Sequence, residues 1–208
     1  AVDVDVPADF SSAAFFIVAA TLMPGSELRI EAVGMNPRRT GLLAALRLMG
    51  ADIREENRQE QGGEPVADLV VRHAPLHGIE VPMALVPDMI DEFPILFVVA
   101  ACAKGRTVVR GAAELRVKES DRIATMATGL RALGIEVHET PDGAVIEGGR
   151  LRGGAVASQG DHRIAMSFAV AAQRTDGDVR INDVANVATS FPGFVELAVA
   201  AGMSLLPA

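Results

Sequence analysis

Ser11–Val33, SSAAFFIVAATLMPGSELRIEAV, decides the fold, because its plan is written twice more along the chain. It opens on small polar residues, runs into an alanine-rich apolar stretch, turns at Gly25 and ends in a short β-rich segment. Asp91–Gly111, DEFPILFVVAACAKGRTVVRG, and Asp161–Val184, DHRIAMSFAVAAQRTDGDVRINDV, keep the same order, with Gly105 and Gly177 at the turn. Recurrence of this kind marks a repeat architecture, in which one supersecondary unit is copied and the copies bury a common core.

Working outward, each copy is followed by a second helical stretch that closes on a glycine before another strand. These are TGLLAALRLMGADIREE, DRIATMATGLRALGIEVHE and FPGFVELAVAAGMSLLP, closed at Gly50, Gly134 and Gly202. Asp68–Arg72 and Ala144–Glu147 add further strands. The unit reads β-α-β-α-β-β, and its copies span about 1–75, 76–150 and 151–208. The alanine-rich helices are apolar nearly all round, the pattern of a buried helix rather than a surface one. The expected fold is therefore α/β, an inside-out, barrel-like domain with helices inside, sheets outside and a pseudo-threefold axis. No interdomain linker interrupts it, so 1–208 reads as a single compact lobe. The polar run 55–64, EENRQEQGGE, reads as an exposed hairpin loop.

The chain has 208 residues, half of them hydrophobic, enough for a substantial core. A net charge of −8 argues against a general nucleic-acid or membrane-surface binder, which needs broad positive potential. It does not argue against a local anion site. Cys102 is the only cysteine, so no intrachain disulfide is possible; a reducing, cytoplasmic compartment fits, and Cys102 itself reads as a small buried residue. No apolar run is long enough to span a membrane, and no basic-then-apolar leader opens the sequence. Starting at Ala1 rather than Met, the chain reads as processed or excised from a longer one. Four scattered histidines and no CxxC give no metal site, and without GxGxxG or a P-loop no cofactor is expected.

Candidate chemistry gathers in two places. Arg116-Val117-Lys118-Glu119-Ser120-Asp121-Arg122 follows a strand and opens a helix, and Gly160-Asp161-His162-Arg163 opens another. A helix N-terminus presents unpaired N–H groups, and added Arg and Lys make it a site for phosphate or carboxylate. A solvated helix start laced with ion pairs contains the same residue types. Asp161 also suits a helix cap, and His162 a structural histidine. Asp88, Asp91 and Glu92 bunch before the second apolar helix, where the helix dipole alone favours acids. A confined Asp88 beside a ligand could instead act as a general base.

RVKESDR, GDHR, the opening VPADFSSAAF and the closing TSFPGFVEL together resemble the EPSP synthases, the 3-phosphoshikimate 1-carboxyvinyltransferase family. The resemblance runs from about Val4 to Met203 but covers only the C-terminal half of such enzymes. It implies two inside-out domains of three βαβαββ units each, with the reaction in the cleft between them and the N-terminal partner lobe absent here. It further implies phosphoenolpyruvate and shikimate 3-phosphate as substrates, with no nucleic acid or membrane partner. Asp88 is then the catalytic acceptor of the 5-hydroxyl proton and orients the ring, Lys118 a substrate ligand that also takes part in catalysis by helping with charge, and Glu119 the catalytic group handling protons at the methylene carbon. Arg122 and Arg163 hold the phosphoenolpyruvate anion, and Asp161 and His162 shape that pocket. Two positions depart from the family pattern: Thr189 stands where some members have lysine, and Ala8 where glycine is usual.

The alternatives are a lobe of the related enolpyruvyl transferase that acts on UDP-N-acetylglucosamine, or a non-catalytic anion-binding domain. RVKESDR and GDHR favour the shikimate enzyme over the former. For the chain by itself the expectation is a folded lobe without turnover, its Arg122 and Arg163 lying on an open, hydrated surface.

Overall fold

The structure, a computed structural model, describes residues 6–206. Residues 1–5 and 207–208, which include the Val4 start of the resemblance and the outer limits of the first and third units, lie outside the described residues.

Three helices form the centre: α1 (Phe10–Leu22), α3 (Phe93–Cys102) and α5 (His162–Ala172). Each packs against the other two. The reason is visible in their composition: α1 and α3 have almost no polar face, so neither could lie on a surface without exposing apolar area. Ile17, Val18, Leu96 and Val98 are fully buried. The expectation of helices inside holds.

Sheets lie outside this bundle. In the first unit β1 (Glu27–Gly34), β3 (Glu64–Arg72) and β2 (Asp52–Gln61) pair antiparallel in that order, with α2 (Gly41–Leu48) between β1 and β2 in sequence. The second unit repeats this with β4 (Arg106–Val109), β6 (Gly143–Glu147) and β5 (Glu136–Thr140), and with α4 (Arg122–Ala132) as the intervening helix. Among the described residues, the opening segments of these two units pair through isolated parallel bridges, Ala8 to Val33 in the first and His77 to Lys104 and Glu80 to Val108 in the second. In the third unit the same pairing is a full strand: β7 (Arg152–Ala157) runs parallel to β8 (Asp176–Asn182). Two short helices, α6 (Val187–Ser190) and α7 (Phe194–Ala200), follow.

Two sequence expectations need correction. The run 55–64 is not a loop: Glu55–Gln61 belongs to β2 and Glu64 begins β3, leaving Gly62–Gly63 as the turn. Its polarity reflects side chains on the exposed end of a hairpin, where backbone pairing is satisfied whatever the side chains are. The strand expected after α7 does not form; residues 203–206 are irregular, and β8 has no second neighbour among the described residues. The closing glycines behave as expected: Gly50, Gly134 and Gly202 have φ of +100°, +88° and +95°, the left-handed conformation that ends a helix cheaply only without a Cβ.

Gly129 shows how tightly α4 and α5 meet. A Cβ there would lie 2.2 Å from Phe168 Cζ, and Phe168 is fully buried. Glycine inside a helix normally costs about 1 kcal/mol relative to alanine, but here overpacking reverses the sign. Gly129→Ala is expected to destabilise the chain by about 1–3 kcal/mol, read as a lower denaturation midpoint in urea. A gain in stability would show that the ring can move aside.

Candidate functional site

Helix starts from the second and third units converge at one end of the central bundle. Chain geometry brings them there in two steps. Pro87–Glu92 forms 3-10 turns kinked at Met89 that lead into α3, with Pro94 in the first turn of that helix, where its missing N–H costs nothing. Ala113–Val117 forms another 3-10 turn before α4. Asp121 caps α4 by accepting from the Ala124 N–H at 3.0 Å, and Asp161 caps α5 by accepting from the Arg163 and Ile164 N–H groups at 2.9 and 3.4 Å.

Asp91 is the focus. Its carboxylate lies 3.7 Å from Lys118 Nζ, 3.3 Å from Arg122 Nη1 and 3.9 Å from Arg163 Nη2. Burial works against its ionisation, but the Arg163, Lys118 and Arg122 charges outweigh it and lower the Asp91 pKa below the usual carboxylate value. Sequence reading put Asp91 among the bunched acids yet singled out Asp88. The missed signal was spacing: Asp91 and Glu92 lie at the threshold of the buried helix, and Asp88 does not.

Arg122 corrects the expectation of an open surface. Its side chain is 1% exposed, and each guanidinium nitrogen has a carboxylate partner. Nε donates to Asp161 at 2.8 Å, Nη1 to Asp91 at 3.3 Å and Nη2 to Glu119 at 2.6 Å. The physical reason is that Asp161 is itself fully buried, and a buried carboxylate requires a buried, hydrogen-bonding cation. Arg163 is also largely covered, at 16% exposure, and donates to the Asp91 carbonyl at 3.4 Å. Lys118 pairs with Glu114 at 2.5 Å besides approaching Asp91.

His162 stands beside this network. Burial and the Arg163 charge lower its pKa, holding the imidazole toward its neutral form. Ser120 donates to Asp161 at 3.2 Å. Arg116 points elsewhere: it donates to the Thr140 and Pro141 carbonyls and to Asp121, tying the segment to the β5–β6 turn, and so leaves the clamp expected of it. Asp88 lies on the far side of the Met89 kink from Asp91 and pairs with Arg38 at 3.4 Å rather than with the Lys118, Arg122 and Arg163 group. Its backbone is pressed against α2: a Cβ on Gly41 would come within 3.0 Å of the Asp88 carbonyl. Thr189 lies on α6, its hydroxyl donating to the Asn186 carbonyl at 2.9 Å.

Within the lobe, then, the cations Lys118, Arg122 and Arg163 are answered by Asp91, Glu92, Glu114, Glu119 and Asp161. In this arrangement an incoming anion would have to exchange partners with these acids rather than fill unmet positive charge. An apolar cleft of about 390 Å³ between α4 and β7, lined in part by Thr125, Thr128 and Gln159, takes no residue from this network.

Comparison with known proteins converges on one family. A family model for EPSP synthase (3-phosphoshikimate 1-carboxyvinyltransferase) matches residues 1–197. The 3-phosphoshikimate 1-carboxyvinyltransferase of Xanthomonas euvesicatoria pv. vesicatoria (strain 85-10) is 71% identical over 205 residues, which cover 99% of this chain and 47% of that protein. That of Xanthomonas campestris pv. campestris (strain 8004) is 72% identical over the same shares. The chain thus spans about half the length of the curated relatives it matches. The solved EPSP synthase from Acinetobacter baumannii superposes with a TM-score of 0.94 at 51% identity, over 97% of this chain and 47% of that one. The enolpyruvyl transferase NikO from Streptomyces tendae, at 21% identity and a TM-score of 0.68 over 93% of this chain and 43% of that one, shares the fold.

Proposed function

The chain belongs to the EPSP synthase (3-phosphoshikimate 1-carboxyvinyltransferase) family, and on that premise we propose that it forms one lobe of an enzyme joining phosphoenolpyruvate to shikimate 3-phosphate. The observation that carries the reading is the meeting of Lys118, Arg122 and Arg163 around Asp91 at the shared end of the central helices. The complementary lobe, the other half of the length seen in relatives, supplies the facing wall. No helix among the described residues is long and apolar enough to cross a membrane, and the single cysteine suits a reducing cytoplasm.

In this reading Asp88 takes the proton of the 5-hydroxyl as its oxygen attacks C2 of phosphoenolpyruvate. Glu119 delivers a proton to the methylene carbon, giving a tetrahedral intermediate. Loss of phosphate, with a proton returned from the methyl group to Glu119, leaves the enolpyruvyl ether. Lys118, Arg122 and Arg163 hold the anionic groups, and Asp161 and His162 fix the pocket behind them. Positioning and preorganised charge, strongest once the closing lobe excludes water, carry most of the acceleration.

Phosphate release tests this. The 208-residue chain alone, given phosphoenolpyruvate and shikimate 3-phosphate, is expected to release none above background, because the lobe that would close over the ligands and exclude water is missing. Adding the complementary lobe is expected to restore release. Robust turnover by the chain alone would overturn the two-lobe account, and no turnover with both lobes present would overturn the assigned reaction.

A further inference from the structure

Glu92 is a buried acid that the proposed reaction leaves unused. It is 3% exposed at the N-cap of α3, yet its side chain makes no hydrogen bond to that helix. Instead it accepts a hydrogen bond from Ser11, itself buried in the first turn of α1. Arg163 of α5 approaches it at 3.8 Å, and Arg39, from the loop before α2, donates to Ser11 at 3.1 Å. Its neighbour Asp91 faces the same arginine and supplies the carbonyl that Arg163 donates to. Glu92 is therefore the point where all three units touch behind the charged network. A first-turn acid serving only the helix dipole belongs on the surface; this one is buried against two other helices.

We propose that Glu92 is a positioning residue of the transferase site: tied to Ser11 and facing Arg163, its carboxylate fixes the Arg163 guanidinium against the Asp91 carbonyl and sets how the site grips the enolpyruvyl donor. The assignment rests on the reading given under Proposed function. Stability and site geometry pull in opposite directions here. Burial raises the Glu92 pKa, and the Ser11 hydrogen bond and the Arg163 charge offset only part of that. A group with a raised folded pKa contributes its stability fully below its unfolded value, 4.5, and loses it as pH rises through the folded value. The fold thus gives up stability to hold a carboxylate where an amide would be easier.

Glu92→Gln separates the two roles, since the amide oxygen still accepts from Ser11 while the charge facing Arg163 is lost. In denaturant titrations the variant is expected to be more stable than the parent at neutral pH, with the difference shrinking as pH falls through the raised folded pKa toward 4.5 and changing no further below it. In the two-lobe enzyme its KM for phosphoenolpyruvate is expected to rise about tenfold, with kcat changed less than about threefold. An unchanged KM, at any stability, overturns the proposal. If the parent enzyme shows no turnover, the assigned reaction fails, and inorganic phosphate binding to the lobe, measured by calorimetry, decides instead. Weaker binding by the variant supports the positioning role; equal binding, or none by either protein, overturns it.

Discussion

Arg122→Ala is expected to destabilise the chain by about 3–5 kcal/mol. The substitution removes one guanidinium from three carboxylates, and one of them, Asp161, is fully buried. Water cannot replace the lost partner of a group with no exposed surface, so Asp161 is left as an uncompensated buried charge. The cap it provides to α5 through the Arg163 and Ile164 N–H groups is strained at the same time. Arg122→Lys is expected to recover only part of the loss, because a single ammonium cannot meet Asp161, Asp91 and Glu119 together. Urea denaturation of the two variants beside the parent is the measurement. A loss under about 1 kcal/mol for the alanine variant would place it with exposed ion pairs and remove the reason given for the burial of Arg122.

Asp88→Ala is expected to lower kcat of the two-lobe enzyme by about 10²–10⁴-fold, the contribution typical of a positioned general base. Its effect on folding is expected to be small, since the carboxylate's recorded partner is Arg38, a side chain 84% exposed. That contrast with Arg122 is the useful part. Asp88 is partly exposed and outside the buried ion network, as the proposed base must be, whereas Arg122 is held inside that network. Steady-state phosphate release with saturating substrates reads the effect, and a variant retaining more than a tenth of the parent kcat would argue against Asp88 as the base.

Much of this fold was legible because the repeat carries its own internal check. An apolar helix such as Ile95–Ala101 is ambiguous alone, but three in equivalent positions can be covered only by one another. What the sequence concealed was direction. Arg116 and Lys118 differ by two positions in one motif, yet Arg116 is bound to the carbonyls of Thr140 and Pro141 while Lys118 reaches Asp91. The 3-10 turn Ala113–Val117 decides this, and residue types alone do not specify it. Glu92 was hidden for a similar reason: an acid at a helix start looks alike whether it faces solvent or, as here, a serine more than eighty residues away in sequence. The hairpin at 55–64 misled because polarity reports exposure, and an exposed strand is as polar as a loop.

The near-absence of a polar face on α1 and α3 also bears on how the chain reaches this state. Neither helix has a side suited to water, and their partners lie about 70 to 150 residues away along the chain. Neither can therefore be finished locally and shielded while the rest is still unfolded. The three must coalesce in one late event that closes long loops first, and such topologies fold slowly. Until then the chain presents two strongly apolar segments, Phe15–Leu22 and Ile95–Ala101, to everything around it. The architecture that protects these helices most completely at the end leaves them most vulnerable to aggregation on the way.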